Sequence, residues 1–247
     1  MLDYKTFGDA KKPALTLLHA GGLTYREWTP FVEAWSKDYF VITPTALGHG
    51  ASPTVETLNF DDLAGSVRDL HDHLDVEQSH FVGSSMGGVT SLAFTILFSE
   101  RVRSLTLYRA SFRADKSIGE SLEVMTRPET WQKWGMEKLM RTQHAPQGGP
   151  EAWVEVTRRV IDMVKREKQH GRVTVEDLAA IEVPTLLIAG DRDPLVPMED
   201  IALMYETIPN AQLWVVPNAT HILQVETLRR SAFETEVLQF LADSVQS

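Results

Sequence analysis

The feature that most constrains the fold of this chain is an alternation of short apolar runs with longer amphipathic stretches. Runs of four or five apolar residues indicate buried strands, and helical stretches between them favour strands that run parallel. Six runs are predicted as strands: 15–18, 39–42, 80–83, 105–108, 185–189 and 213–216. The sequence therefore predicts an α/β fold in which helices flank a mostly parallel central sheet.

One region interrupts this alternation. Residues 111–180 contain no clear buried strand, and their apolar residues recur mainly at helical spacing. We therefore expect an α/β core made of residues 1–110 and 181–247. Residues 111–180 are expected to form a helical lid inserted between two strands of the core.

The predicted lid is rich in side chains that fill irregular apolar space. It holds four of the eight methionines of the chain, and methionine adapts to irregular surfaces. Two interpretations remain open, because these side chains either pack the helices together or line a substrate pocket. Under the second interpretation, the candidate substrate-binding residues are Trp131, Met136, Met140 and Trp153.

Composition excludes several classes of function. The 247 residues include 24 Lys/Arg and 34 Asp/Glu, which gives a formal net charge of −10, and no basic run supplies the positive surface that nucleic acid needs. Because the chain has no cysteine, disulfides, thiolate metal sites and cysteine nucleophiles are excluded. No apolar run is long enough to span a membrane, and the N-terminus lacks the apolar segment of a secretory signal. We therefore expect a cytoplasmic protein that acts on a small molecule.

No motif indicates a cofactor or a metal ion. The chain has neither a G-x-G-x-x-G nor a G-x-x-x-x-G-K pattern. His71 and His73 suggest a metal site, but side chains two residues apart on a helix point about 200° from each other and cannot share an ion. We expect both histidines on a solvated helix face, and we expect no metal and no cofactor.

Residues 83–87, Gly-Ser-Ser-Met-Gly, form a G-x-S-x-G motif between an apolar strand and an apolar helix. This context is typical of the nucleophile elbow, a sharp turn that exposes a serine hydroxyl above the sheet. Ser85 is therefore the candidate nucleophile. Because a serine hydroxyl is a weak nucleophile at neutral pH, it needs a general base, which an acid in turn orients.

With this motif the chain resembles the α/β-hydrolase family along nearly its whole length. The family orders its catalytic triad along the chain as serine, acid, histidine. The resemblance implies that His221, in the loop after the last predicted strand, is the base. It implies that Asp193, in the loop 190–197, is the acid, with Asp191 as the alternative.

The resemblance also implies two backbone donors of an oxyanion hole. One is the N–H of Met86, at the start of a helix, and the other is the N–H of Gly21. Gly21 lies in the segment His-Ala-Gly-Gly at 19–22, which resembles the family's His-Gly-x-Gly but has Ala20 where glycine is usual. The Gly-His-Gly segment at 48–50 is expected only to brace the site.

The expected function is a serine hydrolase that cleaves carboxylic esters or thioesters through an acyl-enzyme. Residues 19–28 have the spacing of small carboxylesterases, including those that cleave pimeloyl methyl esters on acyl carrier protein. Residues 111–180 carry 12 Lys/Arg and 11 Asp/Glu, so a relatively basic lid on an acidic body suits an acyl carrier protein as partner. Lactone hydrolysis, C–C bond hydrolysis and a receptor or signalling role that retains the triad stay open.

Overall fold

A seven-stranded sheet forms the centre of the protein in the computed structural model, which describes residues 1–113, 122, 124–170, 173–221 and 229–244. The strands are β1 (Tyr4–Phe7), β2 (Ala14–Leu18), β3 (Phe40–Pro44), β4 (Ser79–Ser84), β5 (Val102–Tyr108), β6 (Thr185–Gly190) and β7 (Ala211–Val216). Their order across the sheet is β1-β3-β2-β4-β5-β6-β7. β1 pairs antiparallel with β3, and the other pairings are parallel.

Nine α-helices lie in the described part of the chain. They are α1 (Thr29–Trp35), α2 (Phe60–His73), α3 (Met86–Leu97), α4 (Pro128–Lys133), α5 (Glu137–His144), α6 (Ala152–His170), α7 (Val175–Ala179), α8 (Met198–Thr207) and α9 (Arg230–Asp243). The start of α2 shows why such helices begin where they do, because the Asn59 side chain accepts the N–H of Asp62 at 2.7 Å. None of these described helices is long and apolar enough to cross a bilayer.

Two apolar cores cover the two faces of the sheet. Helices α2, α3 and α8 pack on one face, and α1 and α9 pack on the other. Neighbouring strand residues alternate between the cores, as Phe81 and Val82 do. The six predicted strands are confirmed. β1 was not predicted, because its partly exposed Tyr-Lys-Thr-Phe run carries no apolar signal for an edge strand.

Four helices, α4 to α7, occupy the connection between β5 and β6, where the lid is predicted. The described part of residues 111–180 contains no strand. Trp131, Met140 and Trp153 form a separate apolar cluster there. Residues 114–121, 123, 171 and 172 of the predicted lid lie outside the described residues.

The two histidines of α2 have different environments. His71 is fully buried, and its Nε2 lies 2.8 Å from Thr16 Oγ1. The prediction that both histidines lie on a solvated helix face is therefore wrong for His71. Its side chain packs inward because it lies near the side of the helix that buries Leu70. The prediction is confirmed for His73, which is exposed. Among the described residues, no three His, Cys, Asp or Glu side chains come together as a metal site.

We expect the free energy of unfolding to decrease as the pH falls below about 6.5. Burial lowers the pKa of His19, His71 and His80 from 6.5 to about 4. Between those values the unfolded chain binds protons that the folded protein does not, so each histidine lowers stability by ~1.4 kcal/mol per pH unit. The stabilisation is complete above pH 6.5, the pKa in the unfolded chain, and is lost as the pH falls towards about 4, the pKa in the folded protein.

Urea unfolding measured at several pH values between about 7.5 and 5 tests this expectation. His80→Gln removes one buried titrating group and should make the fall in stability with pH shallower. His73→Gln, on the exposed side of α2, is the matched control and should leave that fall unchanged. An unchanged pH dependence in His80→Gln would contradict the assignment.

Candidate active site

Ser85 stands alone between the end of β4 and the start of α3, in a tight turn. Its φ of 51° and ψ of −113° are strained for a residue with a side chain. A Cβ at Gly83 would lie 2.4 Å from the Gly87 carbonyl oxygen, and one at Gly87 would lie 2.2 Å from the Leu18 carbonyl oxygen. The two glycines therefore allow the turn, which holds Ser85 at the carboxyl edge of the sheet.

The three residues predicted as a triad come together at this edge. Ser85 Oγ lies 2.9 Å from His221 Nε2, and His221 Nδ1 lies 2.8 Å from Asp193 Oδ2. The other oxygen of Asp193 accepts the N–H groups of Leu195 and Val196 at 2.8 and 3.1 Å. An Nδ1–H that donates to Asp193 leaves Nε2 as the acceptor that faces the serine hydroxyl.

The two candidate acids have different positions. Asp193 is buried, with 1% of its side chain exposed, and contacts the imidazole of His221. Asp191, at the end of β6, has 32% of its side chain exposed, and its carboxylate lies 3.9 Å from the guanidinium of Arg192. The geometry therefore brings Asp193, rather than Asp191, to the imidazole.

Gly21 and Met86, the residues predicted to supply the oxyanion donors, line the same cavity as Ser85. On either side of Gly21, the N–H of Ala20 donates to Glu27 Oε2 at 2.7 Å and the N–H of Gly22 donates to His49 Nε2 at 3.1 Å. Met86 is the first residue of α3, and the first N–H groups of a helix have no acceptor within it. The arrangement suits two donors aimed at a developing negative charge.

Three buried histidines hold the loop that carries Gly21. His19 Nε2 accepts the N–H of Ala46 at 2.9 Å. The other two bind the backbone of Gly22. His49 Nε2 accepts its N–H, and His144 Nε2 donates to its carbonyl oxygen at 2.8 Å. Burial lowers the pKa of His49 and His144, which favours the neutral imidazole with its accepting nitrogen. His144 ends α5, so the predicted lid is tied to this loop.

A cavity of about 220 Å³ opens beside Ser85 and His221. Of the predicted substrate-binding residues, Trp131 and Met136 line it. Met140 and Trp153 are fully buried instead, in the cluster that packs behind Trp131. The other apolar side chains on the wall include Phe60, Val89, Phe112, Met125, Trp134, Val160, Ile161, Val164, Val173, Leu195 and Val196.

Sequence reasoning missed two charged residues behind the nucleophile. Glu27 and Arg109 form an ion pair with 2.7 Å between Oε1 and Nη2, and each side chain is 3% exposed. Arg109 directly follows β5, and Glu27 directly precedes the buried Trp28. Neither residue carries a local signal of this role, because each resembles an ordinary charge next to an apolar run.

The comparisons with known proteins agree with this fold. Residues 17–232 match the sequence profile described as alpha/beta hydrolase family. The 3-oxoadipate enol-lactonase 2 of Acinetobacter baylyi is 29% identical over 240 residues, which is 91% of this chain and 88% of the relative. The poly(3-hydroxyalkanoate) depolymerase of Ectopseudomonas oleovorans is 26% identical over 235 residues, 88% of this chain and 80% of the relative.

Solved structures share the architecture. A meta-cleavage product hydrolase from Pseudomonas fluorescens superposes with a TM-score of 0.83 at 22% identity, covering 98% of this chain and 94% of that one. A hydrolase from Pseudomonas aeruginosa superposes with a TM-score of 0.73 at 25% identity, covering 96% of this chain and 93% of that one. This chain therefore belongs to the alpha/beta hydrolase family.

Proposed function

We propose that the protein is a serine hydrolase that cleaves carboxylic esters with apolar acyl groups through an acyl-enzyme intermediate. The observation that carries this proposal is the chain of hydrogen bonds from Ser85 through His221 to Asp193, which opens onto an apolar cavity. Thioesters present the same acyl carbon to the same nucleophile and belong to the proposed range.

In the proposed acylation, Ser85 Oγ attacks the ester carbonyl while His221 Nε2 takes the hydroxyl proton. His221 then gives that proton to the departing alkoxide, which leaves as an alcohol, and the acyl group stays on Ser85 as an ester. Asp193 orients the imidazole and stabilises its charged form. Water attacks the acyl-serine in the second half, with His221 again as the base, and releases the carboxylic acid.

Both halves place negative charge on the former carbonyl oxygen. We propose the N–H groups of Gly21 and Met86 as its donors, since both residues line the cavity together with Ser85. Preorganised donors of this kind contribute about 3–4 kcal/mol each to characterised sites. The hydrogen bonds of Ala20 and Gly22 hold the loop in that position.

We propose that residues 111–180 form a lid that selects the acyl group, while the α/β core carries out the chemical step. The lid contributes Trp131 and Met136 to the cavity wall. Each CH₂ group that leaves water for an apolar wall gains about 0.8 kcal/mol, up to about a fourfold preference per methylene. The preference should end when the acyl chain fills the cavity.

Met136→Trp is expected to shorten the preferred acyl chain, because the larger ring occupies space on the cavity wall. Acetate esters should still react, since the residues around Ser85 are unchanged. Comparing kcat/KM for a series of p-nitrophenyl esters of increasing chain length measures the shift. Leu139→Trp is the matched control, because Leu139 lies on α5 with 42% exposure and should leave the profile unchanged.

A different result would mark Met136 as a packing residue. A uniform loss of activity at every chain length, together with a lower melting temperature, would contradict the pocket assignment. Met140 and Trp153 are not proposed as substrate contacts, because both lie behind the wall.

A lactonase is the second candidate, because a relative that is 29% identical over 91% of the chain is a 3-oxoadipate enol-lactonase. A lactone is a cyclic ester, so the same steps open its ring and the leaving group stays attached to the acyl chain. A screen of p-nitrophenyl esters, simple lactones and an ester on acyl carrier protein tests the range. The carrier-bound ester tests the proposed acyl carrier protein partner, which a lid less acidic than the rest of the chain would suit.

Sustained release of p-nitrophenol over many turnovers is the expected result. It supports an enzyme over a receptor that keeps the same side chains. One turnover or none with every substrate in the screen would overturn the proposed function.

A further inference from the structure

A ring of hydrogen bonds lies directly behind the nucleophile. It is made by the ion pair of Glu27 and Arg109 with Ser84, the residue before the nucleophile. The Ser84 hydroxyl donates to Glu27 Oε1 at 2.9 Å and accepts from Arg109 Nε at 3.0 Å. Ser84 is fully buried, and the two charged side chains are nearly so.

The same ion pair reaches two other parts of the site. The second carboxylate oxygen of Glu27 accepts the N–H of Ala20 at 2.7 Å, one residue before Gly21. On the opposite side, Arg109 Nη1 donates to the backbone carbonyl of His221. The carboxylate therefore holds the loop of the proposed oxyanion hole, and the guanidinium holds the loop of the proposed base.

The stability of the fold is a weak explanation for a buried ion pair of this kind. Taking two charges out of water costs free energy that their attraction often does not return, and apolar replacements are frequently neutral. Geometry gives a stronger reason, because a planar guanidinium has donors that point in fixed, different directions. Arg109 also has a φ of 47°, a strained backbone of the kind that clusters at functional sites.

We infer that Glu27 and Arg109 are positioning residues that set the nucleophile, the base and the oxyanion donors relative to one another. This inference rests on the proposed function. The two residues act through the Ser84 hydroxyl, the His221 carbonyl and the Ala20 N–H. Because a misplacement of about 1 Å between reacting groups costs about 10²-fold in rate, loss of this frame should lower kcat more than it changes KM.

Arg109→Lys keeps the positive charge but removes the planar, branched guanidinium group. Lysine keeps a positive charge beside Glu27, so the buried carboxylate stays paired, but one ammonium cannot reach Glu27, Ser84 and the His221 carbonyl together. We expect a folded protein whose kcat on p-nitrophenyl butyrate falls by about 10²-fold while KM stays within about twofold. Phosphonylation of Ser85 by an alkyl fluorophosphonate should slow in parallel, and this second measurement depends little on acyl-group fit.

A double variant removes both charges at once. Glu27→Gln with Arg109→Met removes both charges of this pair, so neither is left buried without the other, and the variant should fold. It should show the same loss in kcat and in the rate of phosphonylation. The matched control is Asp72→Asn with Arg101→Met, an ion pair whose charged atoms lie 2.8 Å apart and whose residues do not line this cavity. The control should keep wild-type rates.

The outcomes separate this inference from the proposed function. Wild-type kcat and phosphonylation rates in Arg109→Lys, with Ser85 labelled in both proteins, would overturn the inference alone. A large rise in KM with kcat unchanged would also overturn it, because it would make Arg109 a substrate contact. Failure of the fluorophosphonate to label Ser85 in the wild type would overturn the inference and the proposed function together.

Discussion

Ser85→Ala should leave the protein folded and lower kcat for ester hydrolysis by about 10⁴-fold or more, as removal of a nucleophile does in characterised triads. The variant loses the oxygen that forms the acyl-enzyme, while the rest of the site stays in place. His221→Ala should be about as severe, because the two residues act as a unit. Steady-state kinetics on a p-nitrophenyl ester, beside a thermal melt, measures the effect.

The thermal melt shows whether a loss of activity comes from the missing hydroxyl or from an unfolded protein. Ser66→Ala is a matched control, because the Ser66 hydroxyl donates only locally to the Leu63 carbonyl on α2. That variant should keep wild-type kinetics. Wild-type activity in a folded Ser85→Ala protein would remove Ser85 as the nucleophile.

Asp193→Asn should lower kcat by about 10⁴-fold, whereas Asp191→Asn should change it little. Asp193 Oδ2 lies 2.8 Å from His221 Nδ1. The N–H groups of Leu195 and Val196 keep the amide oxygen on their side, so the N–H₂ faces the ring. An N–H₂ cannot accept from Nδ1–H, so the tautomer that leaves Nε2 free to accept the serine proton loses its support. Asp191 has no such contact in the described structure, because its carboxylate lies beside Arg192.

The two variants serve as controls for each other, since both change a carboxylate to an amide in the same loop. Kinetics of the two proteins at one pH compares them directly. If Asp191→Asn were the crippled variant, the acid would lie two residues earlier and the proposed geometry of the loop would be wrong.

The sequence predicts most of the sheet because its central strands are buried on both faces. β2 is buried along its whole length and is apolar except at Thr16, a pattern typical of a strand that is covered on both faces. β1 contacts the core along only part of its length, so polar residues are tolerated and the run carries no signal. Strand bounds also shift by a few residues, as β5 begins at Val102, because pairing extends beyond the apolar run.

The local motifs and the family resemblance together predict Ser85, His221 and Asp193, since each lies in a turn or loop shortly after a predicted strand. Which lid residues face the cavity is not a local property. Met136 and Met140 are similar residues four positions apart, yet one lines the cavity and the other packs behind Trp131. The distinction depends on how α5 sits against its neighbours, which periodicity alone does not determine.

The charged frame behind the nucleophile is also beyond local reasoning. Glu27 and Arg109 are 82 positions apart in the chain. Each residue alone resembles an ordinary surface charge next to an apolar run. Only the arrangement of the sheet shows that their side chains meet.

The partitioning of an acyl group between water and methanol tests the central claim most directly. A butyryl-serine formed from the phenyl, p-nitrophenyl or ethyl ester is the same intermediate, so the ratio of methyl butyrate to butyric acid at one methanol concentration should be the same for all three. Direct attack of water or methanol on the bound ester would make the ratio depend on the leaving group. An equal ratio is the result we predict, and a ratio that changes with the leaving group would contradict the acyl-enzyme.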